Sequence, residues 1–179
     1  MASYTGIAAV SEKLKRSLQE ALVPQLASSE GRIALCSPAD EADVAAGIFL
    51  YDIQECEHMR SHTMVNVSDR QQMRPPLYLT LSYMITVYVA GDIRFRGIQE
   101  KQMLGRVIQY LYDHPVFEHL GEKIVIQMER ISTEDKIKLW NFPNVPYRAS
   151  LFYRLSPIPV ESEFVREVDR VRKAEIRVN

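Results

Sequence analysis

"MRPPLYLTLSYMITVYVAGD", residues 73–92, carries an apolar or aromatic side chain at every odd position from Leu77 to Val89. Successive side chains of a strand point to opposite faces, so this period of two lays seven such residues on one side of a sheet. The thirteen residues would extend ~43 Å at ~3.3 Å each, about twice the common strand length. Pro75 and Pro76 set where the strand begins, a place that tolerates a missing N–H. A strand this long exceeds what a small domain needs for its own core. The expectation is that the excess serves an assembly, with backbone groups offered to a neighbouring chain.

Upstream, Ile7, Val10, Leu14, Leu18 and Leu22 share one helical face, with Glu12, Lys13, Lys15, Arg16, Gln19 and Glu20 largely opposite, until Pro24 and Gly31 end the pattern. "RIALCSPADEAD" reads as a short strand running into a turn, and "GIFLYDIQE" as a strand rich in β-branched and aromatic residues. Residues 57–74 show mixed polarity without a sustained period and read as a mobile loop. Downstream, "AGDIRFRG" predicts a turn into a second helix, whose Leu104, Val107, Ile108 and Leu111 face the sheet before Pro115 stops it. "KIVIQMERI" is a further strand, and Ser132 with Glu134 and Asp135 opens a short helix through Trp140. "YRASLFYRLSPIPV" makes the last core strand, with Ala149, Leu151, Tyr153 and Leu155 on one face. This order predicts an α+β (mixed α/β) fold: one mostly antiparallel or mixed sheet, a very long strand near 77–89, and helices packed on it. Residues 1–160 form the domain and residues 161–179 a charged extension whose conformation the pattern leaves open.

The 179 residues, 46% hydrophobic and 25% charged, suit one globular domain, or a domain plus a short extension. Charge is nearly balanced, 22 Lys+Arg against 23 Asp+Glu, which excludes a global attraction to nucleic acid or to anionic membranes. Cys36 and Cys56 match no disulfide framework, so a reducing compartment is expected. The N-terminus lacks a basic stretch followed by a sustained apolar run, and nowhere do 18 apolar residues run together. The expectation is a soluble chain assembled in the cytoplasm, without a signal peptide or transmembrane segment.

A search for reactive chemistry returns little. Cys56, His58 and His62 stand close in "CEHMRSH", but the Cys offset does not share the four-residue His spacing and no further ligand pair follows. His114 and His119 stand in no HExxH arrangement. No G-x-S-x-G elbow occurs, Ser82 lies within the alternating strand, and the seven glycines form no phosphate cradle. Asp52, Glu55 and Glu129 could meet across a sheet, a signal of low specificity among 23 acids. No catalytic residue, metal or cofactor is therefore assigned.

The informative clusters are basic and aromatic. Arg94, Arg96, Arg148 and Arg154 flank Phe95, Tyr147 and Tyr153, the pairing that protein interfaces favour. Nucleic acid is not expected, because the pI is near 6.4 and no recognisable binding module occurs. After Pro159, Phe164, Val168, Val171, Ile176 and Val178 alternate with charges that include Arg166, Arg170, Arg172, Lys173 and Arg177. This balance suits pairing with a neighbouring chain, apolar residues docking the arm and charges setting its register.

Taken in order, "GIAAVSEKLKRSL", "FLYDIQE", "RPPLYLTLSYMITVY", "QMLGRVIQYLYDHPVF" and "LWNFPNVPYRASLFYRLSPIPV" resemble the N-terminal domain family of tail-terminator, or cap, proteins of phage-tail-like extracellular contractile injection systems, the antifeeding-prophage and Photorhabdus-virulence-cassette type. The resemblance spans residues 5–160 and rests on the order of the pieces more than on any one of them. It implies a phage tail-terminator-like fold and a homohexameric ring on the distal end of the inner tube. Such a ring ends tube growth and meets the last sheath layer, so the implied partners are itself, the inner tube protein and the sheath protein. It implies no catalytic residues. The rival readings are a baseplate or adaptor subunit of the same particle, and a ligand-binding protein or enzyme.

Overall fold

The computed structural model describes residues 5–23, 26–27, 29–40 and 43–168. In chain order the elements are α1 (Gly6–Leu22), β1 (Ile33–Leu35), β2 (Ala46–Glu55), β3 (Val65–Ser68), β4 (Gln71–Met73), β5 (Leu77–Val87), α2 (Ile93–Asp113), β6 (Val116–His119), β7 (Glu122–Met128), α3 (Thr133–Leu139), β8 (Ser150–Val160) and β9 (Val165–Glu167). Six strands form the main sheet in the order β1-β2-β5-β8-β7-β6, and β3-β4-β9 form a second, smaller one. Only β1 pairs in parallel in the main sheet, so it is mixed and mostly antiparallel.

The alternating stretch becomes β5, 11 residues long and central. It pairs with β2 from Ala46↔Val87 to Glu55↔Leu79, and with β8 from Thr86↔Ser150 to Leu77↔Val160. This corrects the expectation that its backbone is offered to another chain: β2 and β8, of 10 and 11 residues, are long enough to occupy both its edges. The open edges belong to β1 and β6 in the main sheet and to β3 and β9 in the second.

Tyr83, Ile85 and Leu81 of β5 lie beneath α1 and α2, where Val10, Leu14, Leu18 and Leu22 from one helix meet Met103, Val107 and Leu111 from the other. The α2 seam runs through Met103 and not through Ile108, which is exposed. The apolar cluster 103, 104, 107, 108 and 111 is wide enough to suit two azimuths, and contact with α1 selects one. Polar ties hold the two helices: Arg106 Nε donates to the Ala21 carbonyl at 3.1 Å, Tyr110 donates to the Glu20 carboxylate, and Lys13 donates to the Glu118 carbonyl on β6. Inside the core, Tyr83 and Ser11 hydroxyls lie 2.7 Å apart, and Ser11 also donates to the Ile7 carbonyl at 2.8 Å.

Even-numbered Ser82, Met84 and Thr86 are also buried, because the second face of the sheet is covered at that end. Met84 and Phe152 lie beneath Trp140, with Phe49, Tyr51, Leu139, Phe142 and Val145 around them. Helical and loop segments therefore sit on both faces, α3 opposite α1 and α2.

Three local readings need correction. The turn read over "AGDIRFRG" ends sooner, since α2 already begins at Ile93, and the Asp92 carboxylate caps it by accepting from the Arg94 N–H at 2.9 Å. Residues 57–74 are not a mobile loop but contain the β3–β4 hairpin, extended by β9. Nearly every side chain of that sheet is exposed, so neither face imposes the alternation by which a strand is read. The β6–β7 hairpin escapes sequence reading as well. Its turn places Leu120 at φ 52° and Gly121 at φ 81°, and leucine is an uncommon choice where the first central residue must be left-handed.

Leu14→Ala, which empties a fully buried position on the sheet-facing side of α1, is expected to lower unfolding free energy by about 2–5 kcal/mol in urea denaturation. Ile137→Ala, at an exposed position, should change it by less than about 0.5 kcal/mol. If residues 1–160 fold as a unit, ending the chain after Val160 should leave the urea midpoint close to that of the full chain. Hydrogen exchange should then quicken only at residues 65–74, which lose the β9 partner and the Phe164 carbonyl that accepts from the Arg74 N–H.

Candidate assembly interface

The first turn of α2 projects past the end of β5. Ile93, Phe95 and Ile98 are 76%, 63% and 59% exposed there. Arg94 is turned onto its own cap, with Nη2 3.0 Å from the Asp92 carboxylate. The Arg94 N–H first, then its side chain, holds the Asp92 carboxyl below its usual pKa. Arg96 instead faces a hollow of about 360 Å³ shared with Lys101, Leu104, Pro146, Tyr147 and Arg148. Arg148 pairs with Glu100 at 2.9 Å, and its guanidinium stands 5.3 Å from the Tyr88 ring centroid. Burial, with the neighbouring Cys36 next, pushes the Tyr88 hydroxyl up.

Trp140 positions the far wall of this hollow. The α3 cap supplies the start: Ser132 Oγ accepts from the Asp135 N–H at 3.1 Å and donates to the Asp135 carboxylate at 2.6 Å. At the other end of α3, the buried indole of Trp140 donates through Nε1 to the Pro146 carbonyl at 2.9 Å. Its ring meets Tyr147 and Phe142 edge-on at 5.9 Å and 6.2 Å. A second hollow of about 450 Å³, lined by Ile137, Trp140, Phe142, Val145 and Tyr147, lies on the other side of Tyr147.

The remaining candidate arginines lie farther along the strands, which are ~36 Å long for eleven residues, Arg154 midway and Arg166 beyond the far end of β8. Arg154 pairs in register with Ser82 and Gln127 and faces a polar cleft of about 580 Å³ that also holds Gln54, Cys56, His58 and Ser156. Arg166 donates to Gln72 Oε1 at 2.8 and 3.1 Å within the small sheet. Phe164 packs its ring 5.0 Å from the Arg74 guanidinium, and the Val168 N–H donates to the Arg70 carbonyl at 2.9 Å. Arg170, Val171, Arg172, Lys173, Ile176 and Arg177 lie outside the described residues.

The structure thus joins Arg96 and Arg148, 52 residues apart in sequence, and separates them from Arg154 and Arg166. Tyr153, beside Arg154 in sequence, is core: burial pushes its hydroxyl up to about 12. Sequence reasoning missed Ile93, Ile98, Lys101, Ile137 and Trp140. An apolar Ile98 amid the polar residues of the outer face of α2 was the signal that could have found the first of these.

Cys56 and His58 share one cleft while His62 lines the next, and no group of three His, Cys, Asp or Glu suited to a metal occurs among the described residues. The acids considered for catalysis have separate partners. Glu129 accepts from Tyr51 at 2.6 Å, Asp52 from Gln54 at 2.7 Å, and Glu55 pairs with Arg60 at 3.1 Å.

Comparison with curated protein sequences gives no match. Among solved structures, the chain is similar over 97% of its length to the sheath/tube terminator of the extracellular contractile injection system PVC in its extended state. Identity is 21%, the TM-score is 0.69, and 63% of that chain is covered. It is also similar to the tube-terminating cap of the anti-feeding prophage, at 19% identity and a TM-score of 0.62, over 94% of this chain and 60% of that one. The chain spans about three fifths of the length of these structures, and at such identities the likeness is one of fold. The sequence itself matches the family described as the Pvc16 N-terminal domain over residues 9–173, and the chain belongs to that family.

Proposed function

We propose that the chain is a structural cap, or tail terminator, of a phage-tail-like contractile injection system. Six copies form a ring on the distal end of the inner tube, stop its growth and contact the last sheath layer. The observation that carries this reading is the shared fold across 97% of the chain with a sheath/tube terminator. The two groups of basic and aromatic residues at opposite ends of the long strands support it, since a cap must meet different neighbours in different directions. A head-to-tail contact between copies closes a ring when its rotation closes.

On this reading the chain acts by binding and not by catalysis, and needs no cofactor. It is assembled in the cytoplasm and becomes part of the particle. No described helix is long and apolar enough to cross a membrane.

Removing the protein from a producing strain should yield particles of uncontrolled length in electron micrographs, because tube and sheath growth lose their stop. Particles of normal, uniform length would favour a baseplate or adaptor role. Gold labelling of the protein in intact particles should mark the distal end. In light scattering the purified chain should reach the mass of a six-membered ring as concentration rises. A strict monomer that also fails to bind tube ends would overturn the cap reading.

A further inference from the structure

We infer that the two hollows meeting at Tyr147 form one docking groove for an acidic segment of a partner chain, anchored by a single large apolar side chain. The inference takes the interface reading of this end as its premise and does not depend on the cap role.

The first half of the groove is apolar. Ile137, Trp140, Phe142 and Val145 line it, and Ile137 is 58% exposed. It is shaped before any partner arrives, because the Trp140 bond to the Pro146 carbonyl and the edge contacts to Phe142 and Tyr147 hold its walls. Preformed walls lower the ordering cost of docking. An aliphatic or aromatic side chain fits there, and the shared wall, Tyr147, is 53% exposed and of the type that anchors interfaces.

The second half is basic. Arg96, Lys101 and Arg148 line it against one acid, Glu100, which is already engaged by Arg148. The nearby Asp92 is likewise engaged by Arg94. The charge left at this end is therefore positive although the whole chain carries −1. Carboxylates placed a few residues from the apolar anchor would satisfy Arg96 and Lys101, and a basic segment would be repelled. A peptide is favoured over nucleic acid because the apolar half of the groove holds no cation to meet a continuing phosphate backbone, whereas it suits one apolar side chain.

Trp140 is the single tryptophan of the chain, so its emission reads the groove directly. The probe is a synthetic seven-residue peptide in which one leucine precedes three glutamates, free of tyrosine and tryptophan. Titrated into the purified full chain, it should change the emission saturably and bind more weakly as salt rises. The matching peptide with alanine for leucine, and the one with lysines for glutamates, should each bind about tenfold more weakly or worse. Arg96→Glu with Lys101→Glu, both at the surface and outside the Arg148–Glu100 pair, should lose the glutamate peptide and gain the lysine one. Tyr147→Ala should abolish the advantage of leucine over alanine.

No saturable change up to about 1 mM peptide would overturn the inference. So would equal binding of glutamate and lysine peptides, indifference to the charge reversal, or tighter binding of a single-stranded oligonucleotide, which would make the patch a nucleic-acid site. None of these outcomes bears on particle length, so failure of the groove and failure of the cap reading remain distinguishable.

Discussion

Occupation of β5 on all four sides is the constraint from which the rest follows. Its two edges are hydrogen-bonded to β2 and β8, and residues 81–87 are buried on both faces. A central strand with both faces buried must be covered twice, which is why a chain of this size carries α1 and α2 on one side and α3 with the 140–147 segment on the other. The buried Tyr83 hydroxyl adds direction to the apolar packing. Its contact with Ser11, itself tied to the α1 backbone, fixes which face of α1 meets the sheet, and a buried hydroxyl left without a partner would cost about 1–3 kcal/mol.

The same burial links the core to the surface. Met84 on the second face of β5 lies beneath Trp140, and Trp140 holds the Pro146–Tyr147 stretch through its indole N–H and ring edge. Arg148 follows at once and is held by Glu100 of α2. The candidate interface at this end is thus assembled from three separate segments, each positioned by packing against β5. A surface built this way is held in shape by the chain's own contacts.

Charge is distributed by the same geometry. Because β5 and β8 run antiparallel, basic residues near the start of β8 come to lie by the start of α2, while those following its end join the small sheet. A chain with nearly balanced charge therefore carries its candidate interface arginines in two separate places, the second among acids that include Glu55, Glu57 and Glu167. For a subunit that contacts more than one kind of neighbour, separation of this kind supplies orientation and not bulk affinity.

Much of the fold was legible in the residues alone. The period of two between Leu77 and Val89, the i, i+4 stripe of Val10, Leu14, Leu18 and Leu22, and the Ser132 cap each have one local solution, because one buried face dictates the spacing. The order of these pieces also carried the family resemblance. Where no buried face imposes a pattern, the reading failed: the β3–β4 hairpin is exposed except for the partly buried Gln72 and Met73, and the turn at Leu120–Gly121 carries leucine where Asn, Asp or Gly is usual. The length of β5 was read wrongly as an excess over the needs of one domain, offered to a neighbouring chain, since the partners of a strand depend on contacts distant in sequence. Arg96 and Arg148 were each named from the sequence as candidate interface residues. That they share a groove with Tyr147, and that Arg154 and Arg166 do not, was decided by the tertiary structure, because only strand order and register bring residues 96 and 148 to the same end of the sheet.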